Sequence, residues 1–335
     1  MALERACVQV QAPHLEAASS PYQGAAGSRR FHNPVVEASS LNGETSRAAW
    51  PIVVGGCHRS GTSLLRRVLD AHSRIHCGPE VKFFRDFYGD YFDDPLAPYR
   101  FAQTGRAVLP EDELLDVLGH AFVDLHERAA DHAGKARWAD KTPENVLYAM
   151  QWQQLLGDAW LMVHVVRNPL DTLGSMDDIE MPLTFPPGLD ARIAFYRRYT
   201  QAGLDFEANY PDRYERVVYE ELVGSPETVL GRLMNQLGEA LEPAQLEFNA
   251  VPHQPGLEDA AVTETTAVHR ESVGHWRRNL TREEAAMVWV STSDLWERID
   301  PGGRIWAPPA PRETEATEVC RRPDADGAEL RRNWP

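Results

Sequence analysis

The chain has 335 residues, of which 43% are hydrophobic and 9% aromatic, so it can build one substantial core or two small ones. Its formal net charge is −16 at pH 7. Cationic and acidic residues balance within 1–49 and within 303–335, so the whole excess of acidic residues lies between these two ends. Such an acidic body disfavours nucleic acid and anionic membranes as partners. Four widely spaced cysteines without a C-x-x-C pair argue against a disulfide framework or a zinc site.

The two ends of the chain differ in composition from its middle. Residues 1–48 are rich in Ala, Ser and Gly without sustained periodicity, which predicts a flexible leader, and residues 303–335 predict a flexible tail. The region 49–302 is then the folded domain. No apolar run reaches the ~18 residues of a spanning helix and no signal-peptide pattern opens the chain. We therefore expect no membrane span and a cytoplasmic location.

Between these ends, segments with strand patterns alternate with segments with helix patterns. In chain order the predicted elements are strand 51–54, helix 60–71, helix 111–125, helix 143–156, strand 160–166, helix 169–176, helix 191–208, strand 216–219, helix 226–237 and helix 282–296. The run 160–166 is nearly all apolar, as expected for a strand buried on both faces. This alternation predicts a parallel α/β sheet, in which ligands bind beyond the carboxyl ends of the strands.

The segment from Gly55 to Ser63, G-G-C-H-R-S-G-T-S, leaves the first predicted strand and opens the first predicted helix. Glycines let the backbone curl so that successive N–H groups point inward, and the helix N-terminus adds partial positive charge. Ser60, Thr62 and Ser63 add hydroxyl donors, and Arg59 adds a guanidinium that can fork onto phosphate or sulfonate oxygens. The segment predicts an anion-binding loop; the alternative is a tight β–α turn with an incidental arginine.

Two features separate this loop from that of a P-loop NTPase. Gly56 and Gly61 have a similar spacing, but Thr62 stands where such a loop carries its lysine. The second strong strand is followed by Arg167, not by an aspartate that would help to hold magnesium. We therefore expect a P-loop-type three-layer sandwich, a central parallel sheet flanked by helices, that handles a phosphate-like group without a metal. A P-loop kinase is the alternative.

The stretch from Gly55 to Glu80 resembles the 5′-phosphosulfate loop, the following helix and the catalytic glutamate of the sulfotransferases that use PAPS (3′-phosphoadenosine 5′-phosphosulfate). The resemblance is to the branch nearest the tyrosylprotein sulfotransferases and related bacterial enzymes. It implies that Glu80 is the catalytic base. It also implies that the donor nucleotide is bound by five loop residues: Arg59, Ser60, Gly61, Thr62 and Ser63.

Two later segments are similar to donor-binding motifs of the same family. Val165–Asp171, together with a serine eight residues after its arginine, looks like the 3′-phosphate motif. The resemblance implies that Arg167 and Ser175 grip the nucleotide's 3′-phosphate. Val218–Val223 resembles the segment whose tyrosine, here Tyr219, contacts the donor.

Two further segments resemble the family's transition-state element and its closing loop. Asp140–Pro143 looks like the element whose lysine, here Lys141, stabilises the transition state, and Ser272–Arg277 looks like a loop that closes over the donor. One difference concerns a disulfide: the tyrosylprotein enzymes pair a cysteine at the position of Cys77 with one that is Ala139 here, so we expect no such bridge.

A second group of differences concerns the cations around the donor. The tyrosylprotein enzymes place a further arginine twelve residues after the 3′-phosphate arginine, a position that is Ile179 in this chain. We expect Arg270 or Arg277 to replace it. The closing lysine of the later loop is replaced by His275.

These motifs imply transfer of a sulfuryl group from PAPS to an acceptor hydroxyl. Arg59 and Lys141 would stabilise charge, and Glu80 would take the acceptor's proton. Each of four residues also has a structural alternative: an exposed carboxylate after a Gly-Pro turn for Glu80, a surface lysine for Lys141, a salt bridge to Asp171 for Arg167, and packing at a strand end for Tyr219.

Alternatives remain open for the identity of the catalytic base and for the acceptor. His58, His72 and His76 could serve as the base, although a polar helix cap fits His72 better and a packed or solvent-facing residue fits His76 better. The aromatic stretch Phe83–Phe92 favours core packing, with an aromatic or hydrophobic acceptor as the alternative. We expect a small-molecule acceptor. A peptide acceptor with protein-tyrosine sulfotransferase activity, and a non-catalytic nucleotide-binding module, are the other possibilities.

Overall fold

The computed structural model describes residues 47–89, 100–178, 185–254, 262, 265 and 267–306. Their centre is one sheet of five parallel strands in the order β2-β3-β1-β4-β5. The strands are β1 Ile52–Gly55, β2 Ile75–Cys77, β3 Arg137–Lys141, β4 Leu161–Val166 and β5 Tyr214–Val218. The predicted α/β class with a parallel sheet is confirmed. The predicted leader lies outside the described residues apart from its last two, and so does the predicted tail beyond residue 306.

Helices connect the strands and cover both faces of the sheet. They are α1 Thr62–Asp70, α2 Phe83–Tyr88, α3 Phe101–Gly105, α4 Glu111–His132, α5 Ala149–Leu156, α6 Pro169–Gly174, α7 Leu189–Asn209, α8 Tyr219–Gly224, α9 Pro226–Gln236, α10 Pro243–Leu246 and α11 Arg282–Ile299, with 3-10 turns at Arg47–Ala49, Pro143–Tyr148, Pro211–Arg213, Phe248–Ala250 and His275–Arg278. None of the described helices is long and apolar enough to cross a membrane.

Alternation along β1 and β4 divides the core between the two faces of the sheet. Ile52 and Val54 pack in one cluster with residues of α1 and α9, whereas Val53 and Met162 pack in another with aromatic residues of α4 and α5. All residues of these two strands are buried, as the apolar runs predicted. Helices on both faces of one sheet complete the expected three-layer sandwich.

The strand β3 was missed in the sequence. Its residues R-W-A-D-K are mostly polar, a pattern typical of a surface segment, yet all five are buried. Each charged side chain finds partners inside the protein; the Arg137 guanidinium, for example, donates to the Leu237 carbonyl at 2.8 Å. Burial of charge is tolerated here because hydrogen bonds replace the lost water.

The helix predicted over 143–156 is wrong in its first half. Pro143–Tyr148 forms 3-10 turns and the α-helix begins only at Ala149. Two contacts hold the turn against the sheet: the Gly56 amide donates to the Pro143 carbonyl at 3.0 Å, and the Asn145 side-chain amide donates to the Val54 carbonyl at 3.0 Å. These long-range bonds override the local helical pattern.

A close approach between α7 and β4 gives a test of this packing. A β-carbon on Gly203 would lie 2.1 Å from Nδ1 of His164, a side chain without solvent exposure. We expect Gly203→Ala to destabilise the protein by about 1–3 kcal/mol, lowering Tm in a thermal melt followed by circular dichroism. Gly231→Ala on α9 is the control, because nothing lies within 4 Å of its added methyl; it should leave Tm unchanged or raise it. Equal Tm values for the two variants would contradict this account of the interface.

Candidate functional site

The carboxyl ends of all five strands meet at one edge of the sheet, and each is followed by a residue singled out in the sequence. Because parallel strands all point the same way, the loops that follow them converge. In strand order β2-β3-β1-β4-β5 these residues are Glu80, Lys141 (the last residue of β3), Arg59, Arg167 and Tyr219. The predicted location of the site at this edge therefore follows from the topology.

The loop after β1 takes a tight course that depends on its glycines. A β-carbon on Gly56 would lie 2.3 Å from the Val165 carbonyl oxygen, and one on Gly61 would lie 2.5 Å from the Tyr219 ring. Gly61 also has φ 98°, and Arg59 adopts φ 69°, a left-handed conformation that is uncommon for a residue with a side chain. The loop is thus pressed between β4 and α8, which fixes the direction of Arg59.

Two hydroxyls of this loop have different surroundings. The Oγ of Ser60 is buried without a hydrogen-bond partner among the described residues, and such an orphan in a native site calls for a polar partner. The Oγ of Ser63, three residues later and half-buried, accepts a hydrogen bond of 3.2 Å from Nζ of Lys141. Within the loop, the Ser60 hydroxyl therefore has no partner among the described residues, whereas the Ser63 hydroxyl is bonded to Lys141 at the end of β3.

Lys141 and Glu80 contact each other directly. Nζ of Lys141 donates to Oε1 of Glu80, and the Lys141 side chain is fully buried while that of Glu80 is 10% exposed. Oε2 of Glu80 lies 3.6 Å from Nζ of Lys82. The alternatives of a surface lysine and an exposed carboxylate are therefore wrong. A carboxylate, an ammonium group and the predicted anion-binding loop lie together.

On the other side of the loop, Arg59 and Arg167 are joined through the backbone. Nε of Arg59 donates to the Ser175 carbonyl at 3.1 Å, and Nη1 of Arg167 donates to the Arg59 carbonyl at 2.9 Å. The Ser175 hydroxyl donates to the Thr172 carbonyl at 3.0 Å. The structure thus brings Arg59, Arg167 and Ser175 into one cluster.

Tyr219 lies beneath the Arg167 guanidinium, whose carbon is 4.6 Å from the ring centroid. Burial raises the pKa of the Tyr219 hydroxyl, and the nearby arginine opposes this shift only in part, so the phenol stays neutral and can donate a hydrogen bond. Nε of Arg167 is buried and has no hydrogen-bond partner within the described part of the chain. Tyr219 therefore packs at the strand end and lies beside Arg167, whose Nε still has a hydrogen to donate.

The alternative salt bridge between Arg167 and Asp171 is wrong. The Asp171 carboxylate accepts instead from the backbone amides of Gly274 at 2.8 Å and Trp276 at 2.9 Å. Arg167 in turn donates to the Ser272 carbonyl. Asp171 therefore anchors the loop that resembles the donor-closing segment, and leaves Arg167 to neutral partners.

The expected replacement for a second 3′-phosphate cation stays a prediction. Arg270 donates to the Gly224 carbonyl at 2.9 Å, whereas Arg277 stacks at 4.7 Å on the ring of its neighbour Trp276. Nδ1 of His275 lies 3.6 Å from the Asp178 carboxylate. Ile179 is outside the described residues.

Two of the three histidines considered as alternative bases, His72 and His76, serve other contacts. Nδ1 of His72 accepts from the Arg74 amide at 3.1 Å at the end of α1, as expected for a polar cap. His76 lies 3.6 Å from Asp70, and its burial lowers its pKa. Both fit the structural roles that the sequence favoured for them.

The aromatic stretch after Glu80 is largely core. Phe84 and Phe87 are buried, and Phe83 stacks on Phe122 with 4.5 Å between ring centroids; residues 90–92 lie outside the described part.

One charged residue near the end of β3 was missed in the sequence. Glu144 is buried three residues after Lys141, and an acidic residue directly after the Lys-Thr-Pro element was the available signal.

The chain is similar in sequence to two proteins named as protein-tyrosine sulfotransferases. A Caenorhabditis briggsae protein named as a protein-tyrosine sulfotransferase is 28% identical over 189 residues, which cover 56% of this chain and 64% of that protein. Protein-tyrosine sulfotransferase 2 of Gallus gallus is 26% identical over 220 residues, covering 61% of this chain and 55% of that protein. The chain thus spans less than two thirds of the length of either relative.

The fold has a counterpart of known structure. The sulfotransferase domain of the Synechococcus PCC 7002 olefin synthase aligns with a TM-score of 0.54 and 20% identity, over 75% of this chain and 94% of that domain. The family model described as "Sulfotransferase family" matches residues 51–243, a range that contains the anion loop, Glu80, Lys141, Arg167 and Tyr219. This match covers more than half of the chain, and the chain therefore belongs to the sulfotransferase family.

Proposed function

We propose that the protein transfers a sulfuryl group from PAPS to an acceptor hydroxyl. One observation carries the proposal: the buried Lys141 ammonium joins the Glu80 carboxylate to Ser63 of the anion loop. A carboxylate that could accept a proton, an ammonium group and the predicted anion-binding loop are thus joined by hydrogen bonds, which supports a transfer between two oxygen atoms.

The donor-binding roles follow from charge and from unsatisfied groups. We assign the phosphosulfate end to the loop amides with Arg59, Ser60, Gly61, Thr62 and Ser63. Arg167, Ser175 and Tyr219 would hold the 3′-phosphate end of the nucleotide. The orphan hydroxyl of Ser60 and the orphan Nε of Arg167 fit a polyanion, because phosphate and sulfonate oxygens accept from both kinds of donor.

The chemistry requires few steps from the protein. When bound, PAPS supplies an electrophilic sulfur and a phosphate leaving group. Glu80 would accept the proton of the acceptor hydroxyl while that oxygen bonds to sulfur and the bond between sulfur and the phosphate oxygen breaks. Lys141 and Arg59 would neutralise the charge that develops on the leaving oxygen. None of these residue roles requires a metal.

We propose a hydroxyl on a small molecule as the acceptor, in keeping with the acidic body of the chain. Tyrosine in a peptide is the second candidate, and the names of the two curated relatives favour it. A cytoplasmic location stays a prediction from the sequence.

Donor binding can be tested without knowing the acceptor. We expect 3′,5′-ADP to give a saturable heat signal in isothermal titration calorimetry, and Arg167→Ala to weaken its binding about 10–100-fold, because a charge-assisted hydrogen bond contributes about 1.5–3 kcal/mol. Arg128→Ala, an exposed arginine of α4, is the matched control and should bind like the wild type. Binding of ATP without binding of 3′,5′-ADP would favour the kinase alternative and reject the proposal.

The role of Glu80 predicts a loss of turnover with intact donor binding. After an acceptor has been found by mass spectrometry of a hydroxyl library incubated with PAPS, Glu80→Gln should lower the single-turnover rate by roughly 10²–10⁴. The affinity for 3′,5′-ADP should stay within a few-fold. Glu113→Gln, in the exposed first turn of α4, is the control. A rate near that of the wild type would remove Glu80 from the mechanism, and a wild-type protein that binds 3′,5′-ADP but modifies no acceptor would be a non-catalytic module.

A further inference from the structure

A second set of side chains joins the three segments that carry Arg59, Glu80 and Lys141. His58 directly precedes Arg59, Arg85 follows Glu80 by five positions, and Glu144 follows Lys141 by three. These three residues form one network in which Glu144 is the centre. The network therefore connects the ends of β1, β2 and β3 through the Glu144 carboxylate.

The contacts converge on a single oxygen atom. Oε1 of Glu144 accepts from Nη1 of Arg85 at 2.9 Å and lies 3.2 Å from Nε2 of His58. The side chain of Glu144 is 5% exposed. Burial by itself would raise the pKa of Glu144, but His58 and Arg85 outweigh it and hold the pKa well below its usual range. Glu144 is therefore an ionised buried carboxylate, and Nε2 of His58 carries the proton that faces it.

Both ends of the contact between His58 and Glu144 are held by further packing or hydrogen bonds. Three aromatic rings surround the imidazole, with centroids 5.7 Å away for Phe185, 5.7 Å for Phe195 and 5.8 Å for Tyr199. The 3-10 turn that carries Glu144 is tied to the sheet through the Gly56–Pro143 hydrogen bond described above. A fixed anion thus holds the loop next to Arg59, the residue with the left-handed backbone.

We infer that Glu144 is a positioning residue for sulfuryl transfer, an inference that rests on the proposed function. Through His58 it would hold the anion loop at Arg59, and through Arg85 it would hold the segment of Glu80, both against the end of the strand that carries Lys141. Transfer between two oxygen atoms requires these groups to keep a precise relative position, and a misplacement of about 1 Å can cost about 10²-fold in rate. Glu144 itself takes no part in bond making.

The test uses Glu144→Gln, which keeps the size of the side chain but removes its charge, together with two substitutions of His58. Glu144→Gln should lower kcat about 10–100-fold and raise the KM for PAPS by a smaller factor, because the proposed contacts of the donor with Arg167 and Tyr219 lie outside the loosened loop. His58→Ala should have a similar effect, and His58→Gln, which restores a donor to Glu144, should recover most of kcat. The double variant Glu144→Gln/His58→Ala should lose no more than Glu144→Gln alone, since His58 acts through Glu144.

A second readout requires neither donor nor acceptor. Hydrogen–deuterium exchange followed by mass spectrometry should show faster exchange in peptides covering 56–63 and 80–85 of Glu144→Gln. Asp300→Asn is the matched control. Asp300 is also a buried carboxylate, and it accepts from the backbone amides of Arg304, Ile305 and Trp306, each at 2.9 Å. This variant should lower Tm without changing kcat or exchange in those two peptides.

The outcomes separate this inference from the proposed function. A kcat for Glu144→Gln within about threefold of the wild type with unchanged exchange, or strictly additive losses in the double variant, would overturn the positioning role. If Glu144→Gln does not fold, the pair His58→Ala and His58→Gln decides the same question, and equal kcat values for the two overturn it. Failure of the wild type to bind 3′,5′-ADP would reject the proposed function, while the exchange experiment would still report on the network.

Discussion

The burial of the Lys141 charge at the end of β3 is the constraint on which the site depends. Its side chain has no solvent exposure, and a buried ammonium without partners is strongly unfavourable. The Glu80 carboxylate and the Ser63 hydroxyl, from segments 61 and 78 positions earlier, supply those partners. The ends of β1, β2 and β3 must therefore converge on one point. Because the pair is buried, the attraction between its charges is screened less by solvent than that of a surface salt bridge.

The arginine at the end of β4 is held in a different way. Arg167 donates to the carbonyls of Arg59 and Ser272 and stacks on the ring of Tyr219. These partners are neutral, so they fix the direction of the guanidinium without cancelling its charge. Asp171, which could have neutralised Arg167, binds the amides of Gly274 and Trp276 instead. The positive charge at this strand end therefore stays available to an anion.

Three cations lie at this edge of the sheet although the chain as a whole is acidic. The chain carries a formal net charge of −16, whereas Arg59, Lys141 and Arg167 cluster at the carboxyl ends of the strands. At physiological ionic strength, interactions beyond roughly 8 Å are largely screened, so a bound anion is governed mainly by the cations and amides in contact with it. An acidic body is thus compatible with a polyanionic donor, while it still disfavours acidic partners at long range.

The sequence by itself determined the fold class and singled out most of the polar residues that lie at the carboxyl ends of the strands. Apolar runs identified the buried strand β4, and the glycines and hydroxyls between β1 and α1 predicted the anion-binding loop, because both signals are local and depend on residues close in the chain. Only the tertiary structure revealed β3, whose Arg137, Asp140 and Lys141 resemble a surface segment until their partners are seen. It alone also paired Lys141 with Glu80, directed Asp171 to backbone amides, and placed Glu144 between His58 and Arg85. The partner of a charged side chain depends on which distant segments pack beside it, and a local pattern does not contain that information.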